Sequence, residues 1–408
     1  MTRGPLRLVD FALLAILAVI AVQLIPLPVV LLSFLSPGHV AFARAATLES
    51  SIPWALPLTL NPSGTVHAWL AAFCVIATFW ISRAIVARGG IRTLVTALAW
   101  IAVALVLVTL AQSAADTPLV YGFWRPYDAG ARPLGPFINR NHAGTWSVLA
   151  LLLCFGCFRW RRASSSPSRG WSWRSRLAHG LNGRSLILML AVMLLAIHIA
   201  LGASRSAMLA LACAAGYVAW AAPRRSDGRG NGLWMTAFGI VAALALLTYA
   251  DLDIVLSRID ETRQLGFSGR IAIWQDTLRM IRHFPLAGVG AGSFADSMRV
   301  YQTSERTYFW NEAHNQYLQI AAEGGALLVI PALAAAAGIG VAGLRLLGQR
   351  DASIQWMRIG AAAALLGVAV QGIFETGLTL PANGMLAAVA AAILVHDSRQ
   401  TSNAAAGH

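Results

Sequence analysis

The sequence has no lysine: all 31 basic residues among its 408 are arginine, set against 17 acidic ones. Charged side chains of both signs reach only 12%, while 57% of the residues are hydrophobic and the mean hydropathy is +0.64. That shortage of charge excludes an ordinary soluble globular protein, whose charged share is about a quarter. Cysteine is also scarce. The four present (Cys74, Cys154, Cys157 and Cys213) lie in apolar runs, and CFGC at 154–157 has neither a histidine nor a further cysteine nearby, so neither a zinc ribbon nor a redox motif is expected. The nine histidines never fall at HxH or HxxxH spacing, which leaves a metal site without support, and no cofactor is expected.

What the sequence has instead is a series of apolar runs long enough to cross a bilayer as helix. Ten spans are expected, near 8–33, 66–87, 93–112, 143–158, 185–202, 206–222, 233–250, 317–344, 357–375 and 380–396. The eighth is long enough to tilt or to be two pieces, so the count could rise to eleven or twelve. Ten spans with both termini in the cytoplasm place 19 arginines inside and 12 outside, and seven of the outer ones lie in the long segment 251–316. Short loops then follow the positive-inside rule. The net charge of +14 is explained by this topology, without nucleic acid; RWRRASSSPSRGWSWRSR, 159–176, reads as a cytoplasmic loop against anionic lipid. AFARAA at 41–46 has the small residues of a leader cleavage site, but the apolar run before it is longer than the about 7–15 residues of a leader core, so the first span is expected to be retained. Three parts result: membrane helices over 1–250, an outer loop over 251–316, and membrane helices over 317–408.

Polar groups gather at the outer ends of these spans. GASRSA, 202–207, leaves Arg205 in a tight junction between two helices, where an arginine does nothing for topology and can hold an anion. In the outer loop, Ile271, Trp274, Leu278 and Ile281 recur at helical spacing, predicting an amphipathic helix ended by Pro285 and Gly288, on the outer membrane surface or capping the bundle. Arg270 falls in its first turn, where unpaired amides and the helix dipole also favour an anion such as phosphate. GVGAG, 288–292, has no preceding strand and reads as a flexible turn. Asn315, Gln319 and Glu323 step by four down one face of the eighth span to Gly324 and Gly325, where a neighbouring helix can approach. His314 stands at the mouth of that stripe, and an imidazole there can take a proton from a hydroxyl while arginines neutralise a leaving anion. His198, alone in an apolar span, reads as structural.

Taken together, GPFINRNHAGT (135–145), GASRSAMLAL (202–211), GRIAIWQDTLRMIRHFPLAGVGAGSF (269–294) and HNQYLQIAAEGG (314–325), in this order, resemble the O-antigen ligase and polysaccharide polymerase superfamily of bacterial inner membranes. The resemblance covers about residues 135–330. It implies an all-α polytopic protein with a GT-C-like bundle of about 10 to 12 helices and one long periplasmic loop. It also implies a metal-independent, inverting glycosyltransferase in the inner membrane with a periplasmic site. The donor would be a glycan on undecaprenyl diphosphate, and the acceptor a lipid A core or a growing glycan. By family role His314 activates the acceptor hydroxyl and Arg205 and Arg270 bind the departing diphosphate; Arg140 and His142 are secondary binding candidates, with Asn315, Glu323 and Glu375 as polar supports of the site. Ligase, polymerase and protein glycosylation remain open at this point. A transporter is disfavoured because no internal repeat is visible and the deep spans are nearly free of charge, and a scaffold would have no use for arginines clustered at outer helix ends.

Overall fold

The structure is a computed structural model describing residues 3–46, 52–115, 119–126, 133–164, 182–222, 267–303, 309–349 and 354–397. These form thirteen α-helices: α1 (Arg3–Val22), α2 (Val29–Leu35), α3 (Pro37–Ala46), α4 (Pro62–Ala87), α5 (Ile91–Ala114), α6 (Arg140–Ser164), α7 (Gly183–Gly202), α8 (Arg205–Ala221), α9 (Phe267–His283), α10 (Phe294–Tyr301), α11 (Gln316–Gly348), α12 (Gln355–Gln371) and α13 (Pro381–Leu394). A two-stranded antiparallel ribbon, β1 (Pro26–Pro28) with β2 (Ala55–Pro57), is the one sheet among them. Among the described residues six helices, α1, α4, α5, α6, α7 and α11, are long and apolar enough to cross a membrane, with α8 and α13 apolar but shorter. The chain is an all-α polytopic membrane protein. The span expected at 233–250 lies outside the described residues.

Two compact units are formed, the first from 1–77, 252–341 and 372–381, the second from 78–251, 342–371 and 382–408. In unit 1 the first span is shorter than its apolar run: α1 stops at Val22, not near 33. Pro26 has no N–H to give the Val22 carbonyl and stops the helix, and Gln23, buried at its end, spends its carboxamide on distant backbone, donating to the carbonyls of Ala287 (2.8 Å) and Glu323 (3.0 Å) and accepting from the Ala291 amide (3.0 Å). Pro26 and Pro28 then hold the chain extended.

One of the groups that Gln23 reaches, the Glu323 carbonyl, belongs to a broken helix, and the other two belong to the segment that follows α9. Inside α11, Gly325 has φ 53° and ψ −158°, so the long eighth span is two helical pieces. The segment after α9 fills the break. The amides of Ala326 and Leu327 donate to Pro285 and Leu286 carbonyls (2.9 and 3.0 Å), and the carbonyls of Ala322 and Glu323 accept from Val289 and Gly290 amides (2.9 and 3.0 Å). A helix break within lipid is tolerated only when its freed polar groups find such partners. The glycine-rich stretch is therefore a packed splint, which corrects the flexible turn expected for GVGAG: at Gly288, φ 67°, an added Cβ would lie 2.3 Å from the Glu323 carbonyl carbon. It is this loop, not a helix, that approaches Gly324 and Gly325. Below it Ile273, Met280, Phe284, Val289, Phe294 and Met298 form one core.

α9 forms where the sequence predicts it, and a partly polar face turns into the protein. Ile273, Asp276, Thr277, Met280 and Phe284 are buried, whereas Ile271 and Leu278 are exposed. Asp276 can be buried because it accepts from the Thr303 amide (3.0 Å) and hydroxyl (2.8 Å) and pairs with Arg279. In unit 2, α6 is buried on nearly all sides and is the central helix. It crosses α12 at Gly156 and Gly360, where a Cβ on Gly360 would lie 2.6 Å from the Leu152 carbonyl oxygen. His198 sits wholly buried between the hydroxyls of Ser147 (2.8 Å) and Thr109 (3.3 Å), a structural role.

Candidate functional site

In unit 1 three stretches far apart in sequence meet around one carboxylate. Asn315 caps α11: its Oδ1 accepts from the amides of Tyr317 and Leu318, both at 3.0 Å. His314 is thereby the residue just outside the helix, and it takes a left-handed backbone, φ 47°, which turns its ring away from the helix axis at some cost in strain. Gln316 fastens the second stretch, its amide donating to the Gly372 carbonyl (2.7 Å) and its Oε1 accepting from the Leu378 amide (3.1 Å). Those two bonds bracket Glu375. Trp274 fastens the third, its indole donating to the Ala313 carbonyl (3.1 Å), and Arg270 lies one turn earlier on the same face of α9.

Glu375 is fully buried and uses both oxygens. Oε1 accepts from Arg270 Nη2 at 2.7 Å and Oε2 lies 3.2 Å from His314 Nδ1, while the arginine and histidine side chains keep 29% and 19% of their surface exposed. A buried carboxylate so held is satisfied, and its two partners both reach solvent. Trp310 stands edge-on to the imidazole, ring centres 5.7 Å apart, and the Thr376 hydroxyl donates to the Glu312 carboxylate beside it. Further down α11 the polar stripe faces protein. Gln319 accepts from the Ala313 amide (2.8 Å) and donates to Glu323 (2.9 Å), and Glu323 also receives the amides of Gly292 and Phe294. Asn315 and Glu323 thus hold the backbone that carries His314.

Unit 2 brings a second pair of predicted residues together. α7 ends at Gly202, Ala203 is left-handed (φ 44°, ψ 36°), and Ser204 caps α8, so Arg205 is the first residue of that helix. Arg140 is the first residue of α6. The two helix starts adjoin: the Ser204 hydroxyl donates to Asn141 Oδ1 (2.8 Å), and Gln371 donates to the Asn141 carbonyl (3.1 Å). Arg140 and Arg205 are exposed, each at a helix start where the dipole also favours an anion. His142 is buried in the packing of α6, its carbonyl accepting from Asn383 (3.1 Å).

Residues 190–333 match the family model described as O-antigen ligase. That segment, about a third of the chain, is similar to the O-antigen ligase and polymerase superfamily. No curated protein matches the sequence significantly. The matched segment contains Arg205, Arg270, His314, Asn315 and Glu323, whereas Arg140, His142 and Glu375 lie outside it.

Chemically, the unit 1 cluster pairs a guanidinium with an imidazole whose Nδ1 is directed at a carboxylate. An ionised Glu375 holds the Nδ1–H tautomer, which leaves Nε2 as the nitrogen able to accept a proton. Sequence reasoning missed Gln23, Trp274 as a fastener, Trp310 and the Glu312–Thr376 bond. Each joins residues from separate segments, and the only local signal was an uncharged polar residue, Gln23, at the end of an apolar run.

Proposed function

We propose that this protein is a glycosyltransferase of the O-antigen ligase type, with a GT-C-like helical architecture. It moves a glycan from undecaprenyl diphosphate to a sugar hydroxyl of lipid A core on the periplasmic face of the bacterial inner membrane. The observation that carries this reading is the buried carboxylate of Glu375, which meets His314 through one oxygen and Arg270 through the other.

In the proposed reaction the acceptor hydroxyl oxygen attacks the anomeric carbon from the face opposite the diphosphate. Its proton passes to His314 Nε2, the bond from the anomeric carbon to the phosphate oxygen breaks with its electron pair staying on the diphosphate, and the configuration inverts. Arg270 meets the charge that develops on the leaving group, supplying the stabilisation that a divalent ion gives in other transferases. Arg205 as a second diphosphate ligand is supported by its chemistry and its family role, and Arg140 and His142 are carried by the resemblance. Asn315 and Glu323 support the backbone under His314.

The test is incubation of purified protein, in EDTA, with undecaprenyl-diphosphate glycan and either lipid A core or lipid-linked repeat units as acceptor, products being resolved by mass. Transfer to lipid A core is expected, and His314→Ala should reduce it at least about 100-fold with no loss of membrane-inserted protein. Donor left unconsumed by the wild type with both acceptors, or wild-type turnover in His314→Ala, refutes the proposal. Transfer to repeat units alone would make the enzyme a polymerase.

A further inference from the structure

The connection between α5 and α6 carries a feature that the site in unit 1 does not use. Val120 and Trp124 exchange backbone hydrogen bonds (2.7 and 3.1 Å) across the three-residue turn Tyr121–Gly122–Phe123. Tyr121 and Gly122 both have positive φ, 54° and 79°, the requirement of a type I′ turn that asparagine or glycine meets without strain and tyrosine does not. The consequence is display. Tyr121, Phe123 and Trp124 are 55%, 79% and 44% exposed, and the first two rings lie nearly parallel, 22° apart in plane with centres 6.3 Å apart. Arg125, also exposed, follows directly. A contiguous aromatic patch on a strained, fixed turn marks an interaction surface.

Its position within unit 2 says which. The Tyr121 amide donates to the Gln112 side chain (3.2 Å) in the last turn of α5. At the end of α7, a Cβ on Gly202 would lie 3.1 Å from the Leu134 side chain and 3.8 Å from the Arg140 carbonyl oxygen. The ends of α5 and α7 and the starts of α6 and α8 therefore share one face of the unit, and the aromatic turn stands on the same face as Arg140 and Arg205. From this juxtaposition we infer that the Tyr121–Arg125 turn is a binding platform for the acceptor oligosaccharide. The aromatic faces stack on the apolar C–H faces of pyranose rings, and the Arg125 guanidinium donates to ring hydroxyls or an acidic substituent. A bilayer anchor needs only aromatic side chains at interfacial depth and no strained backbone to aim them. That the ligand is the acceptor rests on the transferase reading; that it is a glycan rests on the patch.

The test uses the full-length protein in nanodiscs and two lipid-free probes, the oligosaccharide released from lipid A core and the repeat-unit oligosaccharide. The double variant Phe123→Ala, Trp124→Ala should raise the Kd of at least one probe tenfold or more, and the probe affected identifies the source. In the transfer assay the acceptor KM should rise to the same extent with donor KM and kcat within threefold of wild type, and Phe123→Trp should retain wild-type affinity. If both probes bind the double variant within twofold of wild type, the patch is a lipid anchor and the inference falls. If that variant is not recovered folded, Arg125→Ala decides, a severalfold loss of affinity supporting the platform and an unchanged Kd overturning it. Oligosaccharide binding without transfer in the wild type would keep the platform and sink the transferase reading. Transfer with unchanged acceptor KM in the variants would do the reverse.

Discussion

Glu375→Gln keeps the shape of the side chain and removes its charge, and the geometry around it makes the outcome calculable. Both oxygens of Glu375 face donors: Arg270 Nη2 at 2.7 Å and, in the tautomer that suits a general base, His314 Nδ1–H at 3.2 Å. A glutamine offers one oxygen and one NH2 group, so one neighbour meets a donor. The shorter, charge-assisted bond to Arg270 should claim the oxygen. His314 then faces an N–H and either leaves it unsatisfied, at about 1–3 kcal/mol, or shifts its own proton to Nε2 and accepts at Nδ1. The second course is the cheaper one, and it puts a proton on the nitrogen that must receive one. A positioned general base contributes about 100- to 10,000-fold, so kcat should fall by roughly 2 to 4 decades, on the order of 3–5 kcal/mol in the barrier. Donor KM should change by less than about tenfold, because Arg270 keeps its partner. The assay is steady-state transfer from undecaprenyl-diphosphate glycan, beside His314→Ala and with thermal unfolding as a check on folding. A glutamine variant within about threefold of wild-type kcat, while His314→Ala is inactive, would show that Glu375 does not set the tautomer.

Three further outcomes are expected. Arg270→Lys and Arg205→Lys should each lower kcat/KM at least about tenfold despite keeping the charge, because an ammonium cannot grip a phosphate bidentately; normal kinetics in both would make these arginines membrane-surface anchors. Gly288→Ala should destabilise the protein by about 2–4 kcal/mol or prevent its recovery, since a Cβ there would meet the Glu323 backbone at 2.3 Å and φ is 67°; an unchanged melting temperature in detergent would contradict the packed splint. Burial lowers the pKa of His39, which packs edge-on to Phe284, from 6.5 to about 4. The folded state keeps it neutral while the unfolded chain protonates, so its contribution to stability is complete above pH 6.5 and is lost as pH falls toward 4. His39→Phe should abolish about 2–3 kcal/mol of that acid destabilisation, read as the difference in denaturation midpoint between pH 7 and pH 4.5; parallel pH dependence in wild type and variant would refute it.

The class, and the places of the long apolar helices among the described residues, were determined by the sequence alone, because the bilayer demands apolar runs of fixed length and proline and glycine stop helices by local geometry. The same local rules placed α9 and the junction that leaves Arg205 first in α8. They failed where the deciding partner was distant. Pro26 and Pro28 give α1 a local reason to stop short of residue 33, but nothing local says that Gln23 is buried at its end; carbonyls 264 and 300 residues away decide that. Nothing local turns Asp276 inward; its bond to Thr303, 27 residues on, does. The candidate site shows the same division. His314 and Arg270 were visible as polar residues at helix starts, but Glu375 stands 105 residues from one and 61 from the other. Its two bonds exist only because Gln316 and Trp274 fasten three segments together. A side chain's type and helical phase are encoded locally, whereas the partner that satisfies a buried charge is chosen by packing, and only the tertiary structure could make Glu375 the shared ligand of an arginine and a histidine.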